Sequence, residues 1–168
     1  MPLVIAGTGH RPSKLSGYNP GNPVRSWLRD TARDLLTQPR VRESVVSGIS
    51  GMALGWDQDL ASLFVELHIP WIAAIPFEGQ ESVWPEKSKK EYRELLKLAK
   101  EVVVVSPGSY STYKMQARNC WMVNHATHIL AAFDGSFGGT ANCLRYANTK
   151  GVPVIRLDPL TRLITGSF

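Results

Sequence analysis

The sequence predicts an α/β fold of the Rossmann-like kind: an open, mostly parallel sheet of six strands with helices on both faces, in a single domain over residues 1–168. Three observations predict it. Short apolar runs rich in β-branched residues alternate with stretches of helical period, the pattern of a parallel sheet buried between layers of helices. Glycines and polar residues crowd the carboxyl ends of those runs, the edge at which open α/β sheets bind ligands. A length of 168 residues suits one domain whose core needs neither metal nor disulfide to hold it.

The first strand is "LVIAG" (3–7), which leads into "GTGHRP" (7–12), where His10, Arg11 and Pro12 stand in place of the helix start expected after a first Rossmann strand. "GYNPGNP" (17–23) is a surface loop. Beyond it Val24, Trp27, Leu28 and Leu35 share one face of a helix. The second strand, "SVVSG" (44–48), opens into the glycine-lined helix entrance "SGISGMALGWD" (47–57), and Leu60, Leu63, Phe64 and Leu67 form the buried face of that helix. The third strand, "WIAAIP" (71–76), is followed by the loop "IPFEGQ" (75–80) and by a helix whose inner face is Tyr92, Leu95, Leu96 and Ala99. Fourth comes "EVVVVS" (101–106) with the loop "SPGSYS" (106–111), then the helical stretch "YSTYKMQARNCWMVNHA" (110–126). "HILAAFD" (128–134), the loop "DGSFGGT" (134–140), another helix and "VPVIRL" (152–157) complete the series.

Composition bounds the function. Hydrophobic residues make up 43% and charged residues 20%, an ordinary soluble balance. Nineteen Lys and Arg against 14 Asp and Glu give a net charge of +5, which favours an anionic ligand but is sparse for a dedicated nucleic-acid binder. Cys120 and Cys143 are the only cysteines and form no paired framework, so a reducing compartment, the cytoplasm, is expected. No apolar run reaches the ~18 to 20 residues of a membrane span, and the opening "MPLVIAGTGHRP" lacks a basic leader with a long apolar region.

The loops at the strand ends nominate the site. After Asp134 and Gly135, Gly138 and Gly139 free the backbone to turn, and Thr140 and Asn142 open the next helix; its unpaired N–H groups would attract an anion, although an ordinary capped turn needs the same residues. Ser50, Gly51 and Gly55 line the second entrance, where Asp57 is either a plain first-turn charge or a carboxylate turned inward toward a ribose hydroxyl. Gly7, Thr8, Gly9, His10 and Arg11 form a basic turn that can meet a phosphate or a base edge. Pro76, Phe77, Gln80 and Trp84 follow the third strand, and Trp84, Tyr110 and Tyr113 could stack on one base. Met115, Arg118 and Met122 share a helical stripe with Asn119 beside it; an arginine between thioethers suits a fixed guanidinium facing a cleft. Neither GxGxxG nor GxxxxGK[ST] is present, there is no GxSxG elbow, and His125 and His128 lack companions for a metal. No metal and no cofactor are expected.

Several of these stretches carry a family likeness. "GHRPSKLSGY", "SGMALGWD", "IPFEGQESVWPEKSKKEYRELL", "MQARNCWMVNHATHILAAFDGSFGGTANCLRYA" and "GVPVIRLD" together resemble the YpsA-like branch of the SLOG superfamily, whose wider membership includes Smf/DprA proteins and the LOG phosphoribohydrolases. The resemblance spans nearly the whole chain and implies a Rossmann-like domain with a nucleotide or nucleotide-derived ligand over its glycine loops. LOG enzymes pair the arginine of an M-x-x-R-K segment with a glutamate three residues after the threonine of P-G-G-x-G-T-x-x-E. Here Met115 and Arg118 are kept, Asn119 replaces the lysine, and Cys143 stands where the glutamate belongs. A thiol cannot stabilise a developing oxocarbenium ion as a carboxylate does.

The resemblance and the residues together predict a protein that binds a small nucleotide or a nucleotide-derived signal, ADP-ribose-like or cyclic, as sensor or sequestering agent without turnover and with no catalytic residue. Asp57, Glu78, Glu81 or Asp134 could in principle replace the missing acid, so LOG-type N-glycosidic hydrolysis is the first alternative. Single-stranded DNA binding in the DprA manner is the second; no loop interleaves Lys or Arg runs with aromatics, so nucleic acid is not the expected partner. The resemblance also implies a homo-oligomer, with apolar helix surface such as Trp121 available to it.

Overall fold

The computed structural model describes residues 1–168. In chain order the elements are β1 (Leu3–Gly9), α1 (Pro23–Thr37), α2 (Pro39–Ser44), β2 (Val45–Ser50), α3 (Trp56–Glu66), β3 (Trp71–Ile75), α4 (Glu86–Leu96), β4 (Glu101–Val104), α5 (Thr112–His125), β5 (His128–Ala132), α6 (Gly139–Thr149), β6 (Val154–Leu157) and β7 (Ile164–Thr165). They build the Rossmann-like α/β fold that the sequence predicts. The sheet has seven strands in the order β4-β3-β2-β1-β5-β6-β7, and every pairing is parallel except β6 with β7. The seventh strand and α2 go beyond the expected elements. No helix is long and apolar enough to cross a membrane.

Alternation along the inner strands sends side chains to two separate cores. Leu3 and Ile5 of β1 and Leu130 and Ala132 of β5 face the larger cluster, which is closed by Leu28 and Leu36 of α1, by Leu60, Leu63 and Phe64 of α3 and by Tyr92 of α4. Ala6, Ile129 and Ala131 face the smaller cluster under Met122 and Val123 of α5 and Cys143 and Ala147 of α6. Helices therefore cover both faces. Two glycines are dictated by this closeness: a Cβ at Gly7 would lie 2.5 Å from Leu60, and one at Gly9 would run into the Trp56 ring. That ring is itself fixed, because its Nε1 donates to the Leu130 carbonyl at 3.2 Å.

Between β1 and α1 the chain makes a short 3-10 turn at Pro12–Lys14, so α1 begins well after the strand, at Pro23. Asn22 caps it by accepting from the Arg25 N–H at 2.9 Å. Arg25 then forks onto Asp59 of α3, at 2.8 and 2.7 Å, and donates to the carbonyls of Gly17 and Tyr18. The surface loop is thus pinned to two helices. The order of the strands matters more for the site: β1 is flanked by β2 on one side and β5 on the other. The chain leaves β1 in one direction and returns to its opposite side, which opens a crevice at the carboxyl ends of β1 and β5.

Candidate functional site

A cavity of about 290 Å³ occupies that crevice, lined by Thr8, Gly9, His10, Arg11, Ser13 and Lys14 from the end of β1, Ala53 and Asp57 beside β2, Met115, Arg118 and Asn119 of α5, and Phe137, Gly138, Gly139 and Thr140 at the start of α6. One wall is the amino terminus of α6. Gly138 caps the helix with φ +142° and ψ −165°, a conformation that a side chain with a Cβ does not adopt. Asn142 makes the first helical bond, to the Gly138 carbonyl at 3.1 Å, while the N–H groups of Gly139, Thr140 and Ala141 find no acceptor in the protein. Free N–H groups at the positive end of an 11-residue helix attract an anion. Arg11 and Lys14 add positive charge at the rim. Lys14 Nζ donates to Ser136 Oγ at 2.6 Å and to the Phe137 carbonyl at 3.2 Å, tying the two loops across the opening.

Beneath that rim lie two buried, oppositely charged side chains. Arg118 is 4% exposed; its Nη1 donates to the Gly51 carbonyl at 2.5 Å and its Nε to Asn119 Oδ1 at 3.0 Å. Gln80 Nε2 bonds the same Gly51 carbonyl and the Tyr92 hydroxyl, at 3.2 and 3.3 Å. Gly51 itself has no room for a side chain, since a Cβ there would collide with the Arg118 guanidinium. Asp57 is 5% exposed, with Oδ2 accepting the Ala53 N–H at 3.3 Å and its carbonyl accepting from Ser50 Oγ at 2.7 Å. Burial pushes the Asp57 carboxyl up to about 6, against the opposing pull of Arg118. Burial likewise draws Arg118 below its ordinary value, opposed by Asp57.

A second polar pair joins the β1 and β5 loops. His10 Nε2 lies 2.7 Å from Asp134 Oδ1, and the Asp134 N–H donates to the same nitrogen at 3.1 Å. Burial holds His10 below its ordinary value even beside a carboxylate. Asp134 is itself resisted by burial, but the Ser136 hydroxyl and N–H together with His10 bring it down to about 2. At neutral pH the pair is therefore a neutral imidazole against a carboxylate. It fixes the loop that carries Gly138 and Gly139 against the end of β1.

Of the residues nominated from the sequence, Thr8, Gly9, His10, Arg11, Asp57, Met115, Arg118, Asn119, Gly138, Gly139 and Thr140 meet at the cavity. The others do not line it. Gly7 packs on Leu60, Gly55 turns the chain against the His10 carbonyl, and Ser50, Gly51 and Gln80 support Asp57 and Arg118. Pro76 and Phe77 are buried, with Phe77 edge-on to Tyr110, and Trp84 packs edge-on to Tyr92. Asp134 stands behind His10, Gly135 lies near Arg156, and Asn142 accepts from Arg145 on the outer face of α6. Met122 is in the core, as a thioether most often is. His125 stacks on Trp121, and His128 bonds Thr127 Oγ1 at 3.0 Å. Ser13, Lys14, Ala53 and Phe137 line the cavity without having been nominated. Lys14 and Phe137 had a signal, a cation just past "GHRP" and an aromatic inside a glycine loop; Ala53 had none.

A family model, that of YpsA, described as the YspA SLOG family, matches residues 5–152. The chain belongs to this SLOG family. Among its relatives is an uncharacterized SPbeta prophage-derived protein, YoqJ, of Bacillus subtilis (strain 168), 36% identical over 157 residues that cover 82% of this chain and 91% of the relative. The UPF0398 protein OB1025 of Oceanobacillus iheyensis is 22% identical over 165 residues, covering 93% and 89%. Among solved structures, the SLOG chain is similar in fold to DNA processing protein A (DprA) of Streptococcus pneumoniae, with a TM-score of 0.67 and 18% identity over 96% of this chain and 53% of that one. DprA of Helicobacter pylori gives 0.63 and 17%, over 92% and 65%, and TM1055 gives 0.60 and 18%, over 92% and 74%. The chain thus spans about half of the pneumococcal protein's length.

The SLOG loop after β5 carries Cys143 in its helix, and the structure buries it completely. Burial pushes the thiol up to about 11, against smaller pulls from Thr8 and Arg118. Cys143 belongs to the smaller core and is absent from the cavity wall. A neutral, enclosed thiol supplies neither a nucleophile nor a general base.

Proposed function

We propose that this chain binds a small nucleotide or nucleotide-derived ligand, ADP-ribose-like or cyclic, and acts as its sensor or sequestering protein without turning it over. One observation carries the reading: the unpaired N–H groups of Gly139 and Thr140, at the start of α6, share one cavity with Arg11, Lys14 and Arg118. An anion gains from the helix terminus and from the rim cations Arg11 and Lys14, while its sugar and base have the rest of the cavity, Arg118 included. Phosphate is the anion that such a cradle fits best, and Asp57 favours a ligand that also offers hydrogen-bond donors. The position of Cys143 supports binding over cutting.

The test begins with native mass spectrometry of the purified protein, followed by a thermal-shift screen of nucleotides and nucleotide second messengers, since a ligand bound only by the native state raises the unfolding temperature. A co-purifying or stabilising nucleotide is the expected result; a screen without any stabiliser counts against the reading. Chromatography of nucleoside monophosphates incubated with the protein should return them intact. Protein-dependent release of free base or ribose phosphate would instead establish N-glycosidic hydrolysis.

Single-stranded DNA is the second reading. It is favoured by the likeness in fold to DprA of Helicobacter pylori, a protein with a unique single-stranded DNA binding mode, and by Phe137, 92% exposed at the cavity. It predicts affinity that grows with strand length and falls steeply with salt. A nucleotide held in one cavity shows the first trend not at all. Assembly into a homo-oligomer remains part of the proposal, to be read by analytical ultracentrifugation.

A further inference from the structure

We infer that the deep end of the cavity is a hydroxyl-reading subsite, in which Asp57 accepts from, and Arg118 donates to, the vicinal hydroxyls of a ribose. The ligand is then a ribonucleotide in preference to its deoxy counterpart. This rests on the nucleotide reading above and adds which sugar is bound.

Asp57 and Arg118 are both more than nine-tenths buried and both line the cavity. Each has one hydrogen-bonding atom left over. Asp57 Oδ2 is used by Ala53, but Oδ1 has no partner in the protein; Arg118 uses Nη1 and Nε, but Nη2 has none. Neither atom is sealed in the interior, because the single enclosed side-chain atom without a partner is Trp71 Nε1, at the other end of β3. Both therefore open onto the cavity. A ligand group that pairs with both gains charge-assisted hydrogen bonds, and the two do not satisfy each other, since no N···O contact within 4 Å joins them.

The chemistry of the missing group follows from the pair. A phosphate would suit Arg118 but be repelled by Asp57, and an ammonium the reverse. A hydroxyl donates one hydrogen bond and accepts others, so adjacent hydroxyls can serve an acceptor and a donor that stand apart. The phosphate keeps its separate place at the start of α6, beside Arg11 and Lys14 at the rim. The surroundings hold the reading pair rigidly: Gly51, Asn119 and Gln80 fix Arg118, while Ser50 and Ala53 fix Asp57. Rigid, buried polar groups are what let a site reject an analogue that lacks a hydroxyl.

Isothermal titration with AMP, GMP, CMP and UMP, each beside its 2′-deoxy and 3′-deoxy counterpart, tests this. At least one ribonucleotide should bind and lose roughly ten- to a hundred-fold in affinity when a hydroxyl is removed. Asp57→Asn, with cooperative unfolding retained, should bring the ribonucleotide down to its deoxy counterpart. Should that variant fail to fold, Arg118→Gln, which keeps a donor but alters its reach, takes its place with the same expectation. Equal binding of ribo and deoxy forms overturns the subsite and leaves the nucleotide reading standing. Preference for ribose undiminished in the variant also overturns it, because the hydroxyls are then read elsewhere. Failure of every nucleotide in the series, and of ADP-ribose and the cyclic nucleotides titrated beside it, overturns both.

Discussion

Gly138 holds a φ of +142° at the cap of α6, whereas an added Cβ at Gly139 meets nothing within 4 Å. The two glycines of one loop therefore answer to different demands. Gly139→Val leaves the protein's own packing undisturbed and projects a branched side chain into the space above the free N–H groups. Its stability should stay within about 0.5 kcal/mol of the parent, and nucleotide binding should fall sharply. Calorimetry that finds affinity unaltered would remove the α6 cradle from the site. Arg118 makes the opposite case, because its guanidinium spans Gly51, Asn119 and the cavity at once. Lysine has a single nitrogen and cannot reproduce that fork, so Arg118→Lys should weaken binding by roughly ten- to a hundred-fold; undiminished affinity in the titration would sink the role. Arg118 was legible as a charge between two methionines on one helical stripe. Ser50, Gly51 and Gln80 were legible only as glycine and polar residues at strand ends, and so as ligand contacts, because a residue that touches a ligand and one that steadies its neighbour leave the same mark in a sequence.

The strands were legible as short apolar runs rich in β-branched residues from β1 through β6, the edge strand β4 included although its first two residues are exposed. β7 is two residues long and α2 six; neither is long enough to show a period. Helical faces were readable for α1, α3 and α4 because each lays one stripe on the larger core. What no periodicity could announce is the polar contact between elements, such as the buried pair of Arg25 with Asp59. It joins α1 to α3 by two short bonds, with both side chains about 7% and 6% exposed. Removing one partner strands the other charge in the interior. Asp59→Ala should therefore cost about 3 to 5 kcal/mol, read from urea unfolding, while replacing both residues by leucine should cost less than that. A double variant as unstable as the single one would mean that the helices are held by something other than this pair.

The cavity exists because β1 sits between β2 and β5, an arrangement that depends on pairing between distant segments and that local pattern does not specify. The same arrangement buries Asp57 in the wall of that cavity, and this makes global stability depend on pH in a defined direction. Asp57 titrates at about 6 in the folded chain against an ordinary 3.8. Between those values the unfolded chain has released its proton and the folded chain still holds it. Stability must then fall as pH rises through the window, by on the order of 3 kcal/mol, and level off above it. His10 works the other way, since burial lowers its value below 6.5 and the unfolded chain is the more protonated one there. Asp134, held at about 2, adds stability that is present above its ordinary value and lost only as pH falls toward 2. The contribution of Asp57 is isolated by comparing the parent with Asp57→Asn, which shares the other groups. Denaturant unfolding at pH 4 and pH 7 should show the variant gaining on the parent by that amount at the higher pH. A gap that is the same at both values would mean that the Asp57 carboxyl is not raised, and that the centre of the cavity is wetter than its burial implies.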